Sequence, residues 1–481
     1  MAAAFLTKQF SHCADITLVE SDQIGTVGVG EATIPPLKVF HDLAGIDEKD
    51  FMRATQASFK LGIRFDNWAR QDDSYFHSFG KTGSGSWAAD FHHYYLKAKA
   101  LNENTELSHY SLETRAANKG LFAKDTRNTL NYAYHLNATA YAKFLREKSE
   151  ERGLKRVEGI IEAVHLNDQE SCVRSVDVES SDHTKLSLQA DFFIDCTGHR
   201  ALLIGGALKT SWNSWSEWLL CDAAVAVQTE AQAEIPPFTV STAHAVGWQW
   251  RIPLQNRVGN GHVYSSQFKS ESEAFSTLHA HLESKTITEP ISLRFNTGMR
   301  SKTWVGNVCA LGLANGFIEP LESTSIHMIN AVLVRLGQLL PFGHAESEWQ
   351  TARNSFNKQI EHEWLMVRDF VILHYKLTER DDSEFWRYCR TMPIPETLSE
   401  RLELFRQTGQ FIKSDRELFQ IDSWVQVMLG QRFIPSTLHP QVDQLNSSQL
   451  DAFLAAIKAD KEKILPMLPK HELFIDSYLA H

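Results

Sequence analysis

The sequence predicts a mixed α/β protein whose last third is mostly helical. Two buried strands, Ala14–Glu20 and Asp191–Asp195, each run into a glycine-containing turn, which is typical of α/β folds. Beyond Ser347 the apolar residues follow helical spacing, with prolines such as Pro393 and Pro435 between the helices. A chain of 481 residues has room for about two to four domain-sized units.

The N-terminal part is predicted to alternate between helices and strands. Helices are expected at Ala2–Ser11 and Leu37–Leu43, with the strand Ala14–Glu20 and a glycine-rich stretch, Gly25–Glu31, between them. In Ser58–Trp68 apolar and charged residues alternate, which predicts one strand with a polar or functional face.

The middle of the chain continues the α/β pattern. A charged helix, Ala138–Arg152, is expected to end at Gly153, and the region 220–300 is rich in predicted strands. A long helix is expected from Ser325 to Leu340. Further strands are predicted near Arg156–His165, Val173–Glu179 and Val305–Leu313.

Composition excludes several classes of protein. The chain is 43% hydrophobic and 22% charged, which is typical of globular proteins, and its net charge of −11 argues against nucleic acid or an anionic membrane as partner. No apolar run approaches the roughly 18 residues of a spanning helix, and the N-terminus has no signal-peptide layout. The cysteines are scattered, so no metal site is predicted. These features predict a cytoplasmic protein.

Glu20 ends a buried strand, the position at which dinucleotide-binding folds place the acid that holds a ribose. The complete signature also has an earlier strand and a G-x-G-x-x-G loop, and neither is found before Ala2. The nearest match, around Gly28 and Gly30, follows the acid instead. Glu20 is therefore either a nucleotide ligand or an ordinary strand-end acid.

Two later strands run into glycine in the same manner. Asp191–Asp195 leads into Gly198, and Val308–Leu311 leads into Gly312. Glycine allows the backbone to approach a phosphate or a ring closely. Each glycine alone could simply end a strand, but three such points in this order favour a bound dinucleotide.

Four stretches, spread over almost the whole chain, resemble the flavin-dependent tryptophan halogenases. The most specific is a W-x-W-x-I-P motif, because two tryptophans at fixed spacing rarely recur by chance. The stretches are Gly28–Pro35, Phe59–Lys60 with Ile63–Trp68, Gly247–Pro253 and Phe317–Thr324.

The resemblance implies an α/β fold with an FAD-binding Rossmann-like core of the flavin monooxygenase type and an added, mostly helical substrate-binding subdomain. Residues 1–345 would form the core, with a substrate-contacting insertion at about 60–135, and residues 346–481 the helical part. In this family the glycine loop is followed at once by a helix start like that at Ala2. The sequence as written is therefore expected to lack the first strand and the glycine loop.

The activity implied is that of an FADH2-dependent halogenase, an oxidoreductase that makes hypohalous acid from O2 and chloride or bromide. A separate NAD(P)H-dependent flavin reductase would supply the reduced flavin. The match places the lysine that holds the oxidant at Lys60 and the catalytic carboxylate at Glu322. The alternative for Lys60 is an exposed strand lysine beside Arg64. The alternative for Glu322 is an ordinary acid at a helix start.

The resemblance also assigns binding residues. The halide is expected at Thr324 and Ser325, where free N–H groups begin a helix, although the family usually has glycine at the second position. Trp248 and Trp250, with Ile252 and Pro253, would separate the flavin from the substrate, unless they are only core aromatics. The flavin would contact Glu20, Gly28, Gly30, Glu31, Ala32, Thr33, Gly198 and Gly312.

The indole ring of a substrate is expected between His77 and Phe79, with Trp424 nearby, although all three could also be core residues. Family members that take free tryptophan hold its charged groups with adjacent tyrosines, and no tyrosine lies between Tyr388 and Tyr478. We therefore expect indole or another indole-type aromatic as substrate. The rival hypotheses are an FAD-dependent monooxygenase or oxidoreductase without halogenation and an inactive, truncated flavoprotein. The sequence is compatible with a homodimer and with a monomer.

Overall fold

The computed structural model describes residues 1–25, 31–124, 130–343, 345–412 and 417–480. Helices and strands alternate in the first part of the chain and helices dominate the last part, so the predicted mixed α/β class is confirmed. In the described part of the chain, no helix is both long enough and apolar enough to cross a membrane. The cytoplasmic location stays a prediction.

The α-helices lie near their predicted positions, except that the sequence analysis did not predict those over Glu48–Thr55, Phe91–Leu101, Leu112–Asn118 and Glu271–Ala280. Their bounds are α1 (Ala2–Phe10), α2 (Pro36–Ala44), α3 (Glu48–Thr55), α4 (Phe91–Leu101), α5 (Leu112–Asn118), α6 (Ala138–Glu150), α7 (Glu271–Ala280), α8 (Ser325–Leu339), α9 (Glu346–Lys376), α10 (Glu384–Thr391), α11 (Glu396–Thr408), α12 (Ile421–Gly430), α13 (Pro440–Asp443), α14 (Ser447–Ile464) and α15 (His471–Leu479).

The strands are short. Their bounds are β1 (Thr17–Glu20), β2 (Glu31–Ala32), β3 (Ser58–Lys60), β4 (Gly62–Asp66), β5 (Ser74–Ser78), β6 (Ala133–Leu136), β7 (Lys155–Glu158), β8 (Ile160–Leu166), β9 (Val173–Glu179), β10 (Lys185–Gln189), β11 (Phe193–Asp195), β12 (Trp212–Ser214), β13 (Ala223–Glu230), β14 (Thr239–Ala243), β15 (Trp248–Pro253), β16 (Arg257–Tyr264), β17 (Ile291–Arg294), β18 (Gly298–Arg300), β19 (Trp304–Val305), β20 (Val308–Ala310) and β21 (Gly316–Phe317).

The described chain divides into two compact units, each built from three segments. The first unit comprises Met1–Thr55, Leu136–Leu219 and Phe295–Leu365, and the second comprises Gln56–His135, Leu220–Arg294 and Met366–His481. These bounds differ from the predicted division into 1–345 and 346–481. The functional roles assigned to those two stretches stay a prediction.

The first unit contains two pairs of parallel strands. β1 pairs with β7, and β11 pairs with β20, so that Glu20 and Asp195 both lie at carboxyl ends of parallel strands. Ligands of α/β folds bind at such ends. Apolar side chains of β9, β20 and the turn after β11 form the core beneath them, among them Val173, Val178, Ile204, Val308 and Ala310.

The second unit contains a seven-stranded sheet in the order β17-β13-β16-β15-β14-β4-β5. The W-x-W-x-I-P motif forms β15 in the middle of this sheet, where both neighbours run antiparallel to it. Beside the sheet, α4 and α14 share an apolar cluster that includes Tyr94, Leu96, Leu450 and Leu454.

The prediction of one strand over Ser58–Trp68 is wrong in detail. β3 pairs with β6, and β4 pairs with β14 and β5, so the segment is divided between two sheets. The division falls at Leu61, whose N–H donates to Pro237 O and whose carbonyl accepts from Phe79 N–H. Alternation along the sequence persists through such a break and therefore does not reveal it.

Candidate active site

Lys60 is completely buried at the end of β3. Its strand partner is Ala133, and a side chain that small leaves room for the long lysine chain on the same face. The Lys60 Nζ lies 5.1 Å from the centre of the Phe79 ring. Arg64 instead pairs with Asp66. The alternative of an exposed strand lysine is therefore wrong.

Buried histidines hold the strand that carries Lys60. The Phe59 N–H donates to His471 Nε2 at 3.1 Å, while His471 Nδ1 donates to Ile235 O. His135 lies opposite Ser58, with 3.1 Å between Ser58 Oγ and His135 Nδ1. Burial lowers the pKa of His471 to about 4. Burial, and secondarily the charge of Lys60, lower the pKa of His135 well below its usual value.

Both histidines are therefore neutral at physiological pH and add no charge beside the Lys60 ammonium. The sequence analysis missed them, because His135 and His471 lie far from Lys60 in the chain and match no motif. For His135 the available signal was its position among apolar residues, which indicates burial but not a partner, whereas His471 lies between Lys470 and Glu472 and gives no such signal.

Two of the three predicted substrate residues meet around a pair of stacked phenylalanines. Phe370 and Phe419 stack at 3.8 Å, with the His77 ring 5.5 Å and the Trp424 ring 5.0 Å from Phe370. Phe79 lies beside Lys60 instead. The structure thus groups His77 with Trp424, and it shows two aromatic side chains that the sequence analysis did not name.

Trp424 is also covered by a buried ion pair. Arg401 donates to Glu417 Oε1 at 2.8 Å, and its guanidinium carbon lies 4.3 Å from the Trp424 ring centre. Arg401 and Glu417 are both largely withdrawn from water. The neighbouring Asp415 and Arg416 lie outside the described residues.

The W-x-W-x-I-P strand is buried along its length. Trp248, Trp250 and Ile252 are each at most 6% exposed, and the two indole rings lie 6.2 Å apart. No described residue accepts a hydrogen bond from the buried Trp250 Nε1. The Pro253 carbonyl accepts from Ser58 Oγ at 2.6 Å, which joins the motif to β3.

Glu322 ends a tight turn, Pro320–Glu322, immediately before α8. Ser323 follows in the left-handed conformation with φ of 59°, and Thr324 is the N-cap of the helix. Glu322 and Thr324 are both completely buried. The Thr324 Oγ1 makes no hydrogen bond to a described residue, and the first N–H groups of a helix have no partner within it. Such a turn can bind a small anion.

Gly198 and Gly312 lie directly beyond paired parallel strands. Their φ values are 70° and 60°, and a Cβ atom at either position would meet no atom closer than 3.6 Å. Asp195 fixes the first turn by accepting from the N–H groups of Thr197, Leu203 and Ile204. Open space beside two left-handed glycines fits the close approach of a flavin nucleotide.

The other predicted cofactor residues differ in their surroundings. Glu20 accepts from Arg156 Nε at 2.7 Å and from Arg146, so its carboxylate already has cationic partners. Glu31 is partly buried, and burial raises its pKa to about 7. Ala32 and Thr33 are buried next to it. Gly28 and Gly30 lie outside the described residues.

The chain matches a known protein family over most of its length. The family described as tryptophan halogenase matches residues 1–447. The chain is 31% identical to a tryptophan 7-halogenase from Lentzea aerocolonigenes, covering 99% of this chain and 96% of that protein. It is 32% identical to a tryptophan 6-halogenase from Streptomyces toxytricini, covering 84% and 81%.

Solved structures show the same relationship. A flavin-dependent halogenase from Xanthomonas campestris superposes with a TM-score of 0.95 at 46% identity, covering 99% of this chain and 95% of that one. A flavin-dependent halogenase from Brevundimonas sp. BAL3 gives a TM-score of 0.91 at 38% identity, covering 99% and 96%.

The fold and these matches define a flavin-dependent halogenase, an oxidoreductase that uses reduced FAD, O2 and halide. The chain belongs to the tryptophan halogenase family. The predicted Rossmann-like FAD-binding core and the predicted enzyme class are confirmed. A separate flavin reductase and an aromatic substrate belong to this chemistry. The roles of individual residues stay predictions.

Proposed function

We propose that this chain halogenates a small indole-type aromatic with hypohalous acid held at Lys60. The observation that carries the proposal is the complete burial of Lys60 beside the Phe79 ring. Burying an ammonium group is costly, so a buried lysine usually has a chemical task. An ammonium group can hold hypohalous acid by hydrogen bonds or become a haloamine, and either keeps the oxidant in one place.

The flavin would be held in the first unit. Gly198 and Gly312 would let the protein backbone approach the flavin nucleotide closely. Glu31 and Thr33 would lie beside the flavin. Glu20, with its partner Arg156, would face the ribose. When bound, reduced FAD with O2 and halide supplies hypohalous acid. The halide would bind at Thr324 and Ser325, where the buried hydroxyl and the first helical N–H groups can donate to an anion.

Glu322 would serve the substitution itself. Hypohalous acid delivers halogen to a ring carbon, and the C–H proton leaves to a base that passes it to the hydroxide of the acid, which departs as water. A buried carboxylate can stabilise the cationic ring and accept that proton. Its position at the end of a turn that Ser323 fixes supports this role.

The substrate is proposed to be indole-like and to lack the zwitterionic group of free tryptophan. Aromatic side chains are grouped around His77, Phe419 and Trp424, where a flat ring can pack. The C-terminal segment between Tyr388 and Tyr478 contains no tyrosine to hold an amino-acid backbone. Losing one charge-assisted contact costs about 1.5–3 kcal/mol, which lowers affinity about tenfold or more. Competition between indole and tryptophan tests this, and a clear preference for tryptophan would contradict it.

The decisive test replaces Lys60. With an NAD(P)H-dependent flavin reductase, FAD, O2 and bromide, Lys60→Ala should form no halogenated indole, while flavin oxidation continues. Free hypohalous acid is scavenged in every assay, so that product formed in solution is not counted.

Lys97→Met is the matched control. Lys97 is a partly buried lysine of the same unit, and within the described part of the chain its Nζ donates to the carbonyls of Val442, Asp443 and Leu445. This variant should keep halogenation. Equal halogenation by Lys60→Ala and the parent would overturn the proposed role, and product formation without halide would favour a monooxygenase.

A further inference from the structure

A cavity of about 290 Å³ lies within the second unit, between the loop 81–85, the start of α4 and the first turn of α12. Its floor is apolar and includes Phe91 and Val425. Its charged lining residues are Lys81, Asp90 and Asp422, and Thr82, Ser84 and His92 complete the polar lining. A cavity with an apolar floor and charged walls suits a small amphipathic molecule.

The charges around this cavity are mostly negative. Asp422 Oδ1 accepts from the Thr82 N–H at 3.0 Å, and no described residue forms an ion pair with Asp422. Burial raises the pKa of Asp422, and the charge of Asp90 raises it further, whereas the Thr82 N–H and Lys81 lower it. Asp422 therefore carries its negative charge at a cost that a cation in the cavity would relieve.

A third carboxylate lies directly behind the loop. The Glu113 carboxylate lies against Gly80, where a Cβ atom would fall 1.8 Å from its oxygen. Glu113 is only 5% exposed and accepts from the Asn131 N–H at 2.9 Å. Burial raises the pKa of Glu113, and the charge of Asp422 contributes in the same direction. The two carboxylates therefore act on one another across the loop.

The cavity adjoins the segment that contains Phe79. Lys81 follows Phe79 by two residues, which span at most about 7 Å of chain. Asn131 donates its side-chain amide to the Phe79 carbonyl, and Gln426 of α12 accepts from the Ser78 N–H at 2.6 Å. The wall of the cavity and the ring beside Lys60 are thus fixed to one another within the same unit.

We propose that this cavity is an ammonium-binding subsite, formed by Asp422 and Asp90 with Glu113 behind them, for the cationic side chain of an indole substrate. This inference rests on the proposed function, because it takes the substrate to be an indole whose ring is within reach of the hypohalous acid held at Lys60. An organic ammonium fits better than a metal ion, since the described residues include no group of three side chains placed to hold a metal. The apolar floor takes the methylene groups of the side chain.

The subsite would bind an indole amine more tightly than free tryptophan. The ammonium group of an amine such as indol-3-ylethylamine would face the carboxylates of Asp422 and Asp90, with Glu113 behind the loop. Tryptophan would bring its own carboxylate into the same negative surroundings, where Lys81 at the exposed rim of the cavity would offset the repulsion only in part. The expected order of affinity is indol-3-ylethylamine, then indole, then tryptophan.

Binding is measured by calorimetry on the full chain, without turnover, using indol-3-ylethylamine and its uncharged N-acetyl derivative. The wild-type chain should bind the amine about tenfold more tightly than the N-acetyl derivative. Asp422→Asn should remove most of this difference. Lys81→Ala, at an exposed position where folding is not at risk, should strengthen amine binding by about two- to fivefold, because a competing cation is removed.

Equal binding of the two ligands by the wild-type chain would overturn the subsite, and so would weaker amine binding by Lys81→Ala. These results are independent of catalysis. If the wild-type chain halogenates indole but does not bind the amine more tightly, the proposed subsite is rejected and the proposed function is kept. If it prefers the amine but halogenates no indole, the proposed function fails alone.

Discussion

The strand that carries Lys60 and the turn that carries Glu322 both bury a charged side chain completely, but they hold it by different means. Around Lys60, side chains from distant parts of the chain fix the strand, chiefly His471 on Phe59 and His135 on Ser58. Around Glu322 the backbone fixes the turn, through the left-handed Ser323 and the start of α8.

This difference predicts where each region tolerates change. The strand depends on neutral histidines, and it should fail when they are removed or protonated. The turn depends on local conformation, so a substitution that keeps its backbone should alter chemistry without altering stability. Variants of Glu322 and of His471 separate these two dependences.

The largest effect is expected at the turn. Glu322→Gln keeps the size of the side chain but removes the carboxylate that would accept the ring proton, so kcat should fall by about 10²- to 10⁴-fold. FAD affinity and the melting temperature should stay close to those of the parent. Glu319→Gln is the matched control, since Glu319 is equally buried three residues earlier. An equal loss of kcat in both variants would mean that any change to this turn stops the reaction.

At the strand, His471→Ala should act through stability first. It leaves the buried Phe59 N–H without this partner, at a cost of about 1–3 kcal/mol, and also removes the partner of the half-buried Ile235 carbonyl. Urea unfolding should show that loss, and halogenation should fall because Lys60 follows Phe59 directly. His279→Ala, at an exposed position on α7, should change neither. If His471→Ala is destabilised but halogenates as fast as the parent, the position of Lys60 does not depend on the hydrogen bond from Phe59 to His471.

Two buried groups, His471 and Glu31, should contribute to the pH dependence of stability with opposite signs. The folded pKa of His471 is depressed to about 4 from 6.5, so its contribution to stability is complete above pH 6.5 and is lost as the pH falls toward 4. The folded pKa of Glu31 in the first unit is raised from 4.5 to about 7, so stability decreases as the pH rises from 4.5 to 7.

Thermal melting of the parent and Glu31→Gln between pH 4 and 8 measures the second contribution. The variant should melt above the parent at pH 8, and the difference should shrink toward pH 4.5. A constant difference over the whole range would show that Glu31 does not titrate in it.

The sequence was sufficient for features that are local in the chain. The strand ends at Glu20 and Asp195, the motif around Trp248 and the helix that begins at Ser325 can each be predicted from a short stretch. Partners from distant segments could not be predicted, because nothing in the residues near Lys60 specifies His471, and nothing near His77 specifies Phe370 or Phe419. The break at Leu61 was missed for the same reason, since its hydrogen-bond partner is Pro237.

The smallest effect concerns the halide, at Ser325. Bromide is more easily oxidised than chloride and should give the higher turnover in the parent. If the Ser325 side chain narrows the anion site at the start of α8, Ser325→Gly should raise turnover with chloride by about two- to fivefold and reduce the bromide advantage. Ser447→Gly, at the first position of α14, is the matched control and should leave the ratio unchanged. A parent that prefers chloride would show that Ser325 does not restrict the site, and the halide would then depend on the Thr324 hydroxyl and the backbone alone.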